Sequence, residues 1–155
     1  MKTYESEVME KEEIKLVGFT ITESLNHVLE SKLVETLRRD LAKRIDEIKN
    51  RAGTGIYLNQ IYPHDGEWTP DVPFEHVIAV EVSAFDHLPS GMISHTIAAG
   101  RYIRIIHQGP ESQLGSTYEY INNTFGTRPI DLEYWQDIND LDSEESRIDI
   151  YIPAP

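Results

Sequence analysis

Near the end of the chain, DLEYWQD (residues 131–137) sets carboxylates and two aromatic rings within seven residues. Read as a strand, it points Glu133 and Trp135 to one face and Leu132 and Tyr134 to the other, because strand side chains alternate. A carboxylate beside an indole can neutralise and stack on a flat cation. The same face gains members if the strand is matched to GIYLN (residues 55–59), the stretch that follows the preceding helical pattern. That match sets Ile56 and Leu58 with Leu132 and Tyr134 toward the helices, and Tyr57 and Asn59 with Glu133 and Trp135 on the opposite face. In the closing RIDIYIP, Ile148, Ile150 and Ile152 form a core face, leaving Asp149 and Tyr151 on the other. Tyr57, Asn59, Glu133, Trp135 and Tyr151 are therefore candidate ligand-binding residues. Trp68, in a Pro/Gly-rich loop (residues 63–73), is a candidate cap over the cleft.

Other chemistries find less support in the residues. The six histidines, His27, His64, His76, His87, His95 and His107, show no helical H-x-x-x-H spacing, and there is no cysteine to join them. No metal or cofactor is expected. Nucleotide-binding glycine loops and a G-x-S-x-G elbow are missing from the sequence. The formal net charge of −13 opposes a phosphate backbone, so direct nucleic-acid binding is not expected. The same charge concentrates cations near the surface. The Arg38-Arg39 and Lys43-Arg44 pairs read as a solvated helix face, and Tyr102 and Tyr118 as core or helix-packing residues.

The elements that must position these residues follow from hydrophobic periodicity. Residues 11–22 form an apolar, β-branched strand. Leu25, Leu29, Leu33, Leu37, Leu41, Ile45 and Ile48 recur at spacings of three and four, predicting one long amphipathic helix from an N-cap at Ser24 to the Gly53-Thr54-Gly55 turn. GIYLNQIY and HVIAVEVSAF are strands. ISHTIAAGRYIRIIHQG is a long strand or a strand pair bent around Gly100, and residues 112–125 form a shorter helix. DLEYWQDI, an acidic loop and RIDIYIP close the chain. Both halves read strand, helix, strand, strand, about residues 11–86 and 92–154, as an internal duplication would. The 155 residues, 39% hydrophobic and 26% charged, suit one domain. The expected fold is α+β: two pseudo-symmetric repeats, a mainly antiparallel sheet with helices on one face, and a ligand cleft at the junction. The charged N-terminus carries no secretory signal and no stretch is long and apolar enough to span a bilayer, so a cytoplasmic protein without membrane contact is expected.

Residues 74–110, FEHVIAVEVSAFDHLPSGMISHTIAAGRYIRIIHQGP, resemble the central signature of the GyrI-like family, the effector-binding domain of AraC- and MerR-type regulators. That signature is an apolar strand, a Pro-x-Gly-Met loop, a Pro-Ala-Gly-x-Tyr turn and a strand ending in His-x-Gly-Pro. DLEYWQD and RIDIYIP resemble the family's Glu-x-Tyr strand and its final Ile-Tyr-Ile-Pro, so the likeness runs from about residue 11 to 154. Ala98 stands where the family usually has proline, and Trp135 where tyrosine is more usual. The resemblance implies a ligand cleft between two repeats for cationic, aromatic, drug-like molecules, with Glu133 as counter-charge among aromatic rings. His107, at the His-x-Gly-Pro position, is implied to be structural. Regulators carry a helix-turn-helix module, which this length does not accommodate, so a stand-alone small-molecule-binding protein is expected. Two further readings come with the resemblance. One is hydrolysis of cyclopropanoid toxins, with Glu133 handling a water and Tyr57 polarising the substrate. The other is modulation of a protein partner, a regulator or DNA gyrase.

Overall fold

The computed structural model describes residues 4–63 and 68–155; residues 64–67 of the Pro/Gly loop, His64 among them, lie outside these. Eight strands are present: β1 Glu5–Lys11, β2 Ile14–Glu23, β3 Ile56–Ile61, β4 Phe74–Val82, β5 Ile93–Ile97, β6 Gly100–Gln108, β7 Ile130–Trp135 and β8 Arg147–Pro153. They form one sheet in the order β1-β6-β8-β7-β3-β4-β2-β5, every neighbouring pair antiparallel. From the central β7–β3 pair outward, each half meets the strand after its helix, then its last strand, then the strand before its helix.

The long helical pattern is split in two. α1 spans Leu25–Ser31 and α2 Leu33–Lys43, joined through Lys32 in the left-handed conformation (φ 53°). Ser24 caps α1, its hydroxyl accepting from the His27 amide at 3.2 Å. The break turns α1 so that Val28 is buried while Leu29 is 63% exposed. A 3-10 turn, Ile45–Glu47, ends the helical run well before Gly53. α3 spans Leu114–Phe125.

α2 and α3 cover one face of the sheet, over a core that includes Leu41, Leu58, Ile78, Ile121, Trp135, Ile148 and Ile150, and α1 packs on α2. The other face is buried without helices, and the connections explain how. β1 and β5 are opposite edges, yet Lys11 pairs with Gly100 and Ile14 with Ile97. Only two residues join Lys11 to Ile14 and Ile97 to Gly100, so each of these pairs is held within about 11 Å. The sheet therefore rolls until its edges meet at this corner. Tyr57, Val77, Ala79, Leu132 and Tyr151 pack inside the roll. The Tyr102 hydroxyl donates to the Ala98 carbonyl at 2.7 Å, bracing the corner turn that lacks the family's proline.

Candidate functional site

The register of the two central strands decides which side chains share a face. Directly opposite residues of an antiparallel pair point the same way. Trp135 lies across from Ile56, Glu133 from Leu58 and Asp131 from Gln60. On the other flank Glu133 meets Ile150 and Trp135 meets Ile148. Glu133 and Trp135 therefore face the helices with the isoleucines of β8. Tyr57, Asn59 and Tyr151 face the interior of the roll with Leu132 and Tyr134. The sequence match of GIYLN to DLEYW was displaced by one residue, which exchanges the faces of every side chain it compares. The five strand residues expected to line one cleft are thus divided between two faces.

On the helix face, Glu133 is 3% exposed. Its Oε2 accepts from the Tyr118 hydroxyl at 2.5 Å and its Oε1 from the Trp135 indole N–H at 2.9 Å. The carboxylate beside the indole is thus explained by an edge-on hydrogen bond, not by stacking. Burial raises the Glu133 pKa to about 7 against the lowering effect of these two donors, with the charges of Glu111 and Asp131 adding to the rise. Burial and the same carboxylate push the Tyr118 hydroxyl well above its ordinary value. α3 aims Tyr118 at the sheet: Leu114, Thr117, Tyr118, Ile121 and Phe125 follow the helical repeat, with Thr117 and Ile121 fully buried.

The open face of the Trp135 ring is covered by Arg38 of α2, whose guanidinium lies 4.7 Å from the ring centre. Arg38 is held there by Glu111 through two hydrogen bonds of 2.7 and 3.1 Å. Arg38 therefore departs from the solvated face expected for the Arg38-Arg39 pair; its side chain is only 12% exposed. One row along the sheet, fully buried Asp131 accepts from Arg128 and from the Tyr62 hydroxyl. Arg128 also donates to Asn122 and to the Gly126 carbonyl. Tyr62 packs at 5.1 Å from Phe74 and edge-on at 5.7 Å from Trp68, so Trp68 stands at the end of the Glu133 face. From the sequence, Tyr118 reads as a core or helix-packing residue and Arg38 as part of a solvated face, and Asp131 and Tyr62 do not stand out. For Tyr118 the helical spacing carries a signal; Arg38 and Tyr62 depend on contacts from distant elements, and Asp131 on Tyr62 as well as on Arg128 three residues before it.

On the rolled face, Tyr57 packs at 4.7 Å from Tyr134, whose ring lies against the backbone of Gly55 where a Cβ would collide with it at 2.4 Å. Burial raises the Tyr57 pKa, helped by the nearby charge of Glu81. Tyr151 has Lys11 at 4.0 Å over its ring. Asn59 donates to the Asp131 carbonyl at 3.2 Å and accepts from His95 at 2.9 Å. Buried His107 bonds Thr117 and the Pro110 carbonyl, a structural pairing. No cluster of three potential metal ligands occurs among the described residues, nor a helix long and apolar enough to cross a membrane.

The model of a family described as integron-associated effector binding protein (Cass2) matches residues 7–154. The chain belongs to this family, one of GyrI-like effector-binding domains. No curated protein sequence matches the chain. Among solved structures, the C-terminal domain of EcmrR superposes with a TM-score of 0.74 at 15% identity, over 98% of both chains. The chain spans 57% of the longer EcmrR chain seen in its complex with DNA. SAV2435 bound to tetraphenylphosphonium superposes at 0.69, with 19% identity over 97% of this chain and 94% of that one. An integron cassette protein of Vibrio cholerae gives 0.69 at 13% identity, over 97% and 95%. At these identities the likeness establishes the shared fold.

Proposed function

We propose that this effector-binding protein takes an aromatic organic cation against Trp135, with Glu133 as its counter-charge and Tyr118 and Trp68 as flanking rings. One observation carries the reading: Glu133 is a buried carboxylate whose hydrogen bonds come from two neutral donors. A buried charge without an opposite charge costs several kcal/mol, and an incoming cation offsets that cost. SAV2435, which shares the fold, binds such a cation. Because Glu133 is enclosed, the ligand reaches it only when the helical cover shifts. Contacts made by ring faces and one charge demand few directed hydrogen bonds, which favours broad selectivity. Tyr57, Asn59 and Tyr151 support the sheet from behind in this reading. The mirrored strand order is what a duplicated strand–helix–strand–strand unit would leave.

The test is quenching of tryptophan fluorescence by tetraphenylphosphonium and by neutral triphenylphosphine oxide. Glu133→Gln should weaken the cation about thirtyfold or more and leave the neutral compound nearly unchanged. Equal weakening of both would sink the proposal. The Glu133 pKa near 7 also favours a second reading, general-base hydrolysis of an electrophile. Its hydroxyl partner would be Tyr118, since Tyr57 lies across the sheet. Turnover of a cyclopropanoid compound that Glu133→Gln abolishes would support it.

A further inference from the structure

A second polar group sits on the buried helix face at the far end from Trp135. His76 of β4 is fully buried. Its Nε2 lies 3.0 Å from the Glu23 carbonyl oxygen. A carbonyl cannot donate, so Nε2 carries the ring hydrogen and Nδ1 is a bare acceptor. Nδ1 is buried and has no hydrogen-bonding partner among the described residues. Burial lowers the His76 pKa, which keeps the ring neutral and that lone pair free. An unmet buried acceptor costs about 1–3 kcal/mol, so such groups call for a specific account.

Its neighbours are buried polar side chains flanked by aromatic rings. Asp131, Gln60 and His76 stand side by side across β7, β3 and β4. Asp131 is satisfied by Arg128 and Tyr62, and Gln60 accepts weakly from Tyr118 at 3.5 Å. The His76 ring lies tilted against Phe74 at 4.1 Å, and Phe74 packs edge-on against Trp68 at 6.0 Å. Two strand spacings and one pleat repeat separate His76 from Glu133, roughly 12 Å.

Resting on the cation reading of Glu133, we propose that His76 Nδ1 accepts a hydrogen bond from the ligand. The preferred ligand class is then an aromatic cation broad enough to face Glu133 on one side and present an N–H or O–H group to His76 on the other, across a Cα separation of roughly 12 Å. A fully alkylated cation would fill the same surface but leave His76 unsatisfied.

Two triarylmethyl dyes of equal charge separate these cases: pararosaniline, which bears N–H donors, and crystal violet, in which all are methylated. The full chain should bind pararosaniline about tenfold more tightly than crystal violet. His76→Phe, which keeps the ring on Phe74, should abolish that preference while leaving crystal violet affinity as it was. On the unaltered protein, the 15N resonance of His76 Nδ1 should move upfield with pararosaniline and stay with crystal violet; this needs no variant to fold. If both dyes bind equally in a Glu133-dependent manner and the resonance is still, the donor class is wrong and the cation reading stands. If neither dye binds the unaltered protein, both ideas fall.

Discussion

The two faces of this sheet carry similar side chains and handle them differently. Inside the roll, Tyr151 has Lys11 over its ring, and Asp149 is paired with Arg147. Under the helices, Trp135 has Arg38 and Asp131 has Arg128, but Glu133 is met by a hydroxyl and an indole. Aromatic rings beside acids are therefore common to both faces. What distinguishes the Glu133 side is a buried carboxylate that has been given hydrogen bonds and no cation. Rings and acids occur on both faces, and their partners separate them.

The largest expected effect tests the satisfied acid. Asp131→Asn leaves the largely buried Arg128 without its counter-charge and should destabilise the fold by about 3–5 kcal/mol in urea denaturation. If the change costs less than about 1 kcal/mol, the two acids of β7 are not energetically distinct.

Glu133→Gln should act in the opposite direction. A carboxyl whose pKa is about 7 when folded and near 4.5 when unfolded binds more protons in the folded state between those values. Stability then falls as pH rises from about 4.5 through 7, by roughly 3 kcal/mol in all. Glutamine keeps both contacts, accepting from Trp135 and donating to the Tyr118 oxygen, without that loss. The variant should therefore unfold at higher temperature than the parent at pH 8 and at nearly the same temperature at pH 4. Parallel pH curves for the two proteins would contradict the burial argument.

A smaller effect concerns ligand binding itself. If the ionised form of Glu133 takes the cation, tetraphenylphosphonium affinity should rise about tenfold from pH 6 to pH 8. Calorimetry in buffers of different ionisation enthalpy should show about half a proton released at pH 7. The smallest effect belongs to the rolled face. Lys11→Met removes the cation over Tyr151, should cost under about 1 kcal/mol, and should leave tetraphenylphosphonium affinity unchanged. A change there would mean that the two faces communicate.

Much of the fold could be read from local periodicity. The apolar rows of β2, β4 and β8 and the three-and-four spacing of α2 and α3 are intrinsic to their segments. β1 escaped because ESEVMEK has no apolar alternation; it is a strand by virtue of pairing with β6. The break at Lys32 escaped because neither glycine nor proline marks it, and packing imposes the left-handed turn. In the site, Glu133, Trp135 and Trp68 could be named from the chain. Their separation from Tyr57, Asn59 and Tyr151 could not, because a strand's face depends on a register good to one residue, and aligned halves do not supply it. Arg38 and His76 depend on contacts from distant elements, Glu111 and Glu23, which leave no local trace.

The corner where the sheet's edges meet has a consequence for how the chain folds. Glu5 pairs with Ile106, so β1 finds its partner only after some hundred further residues have been made. Contacts of such long sequence separation are slow to form, and until this one forms the outer edge of β6 offers unpaired backbone groups to any passing strand. β1 is thus a late-arriving closure, and its four acidic or hydroxyl side chains in seven residues (Glu5, Ser6, Glu7 and Glu10) keep its own edge unattractive to other copies meanwhile.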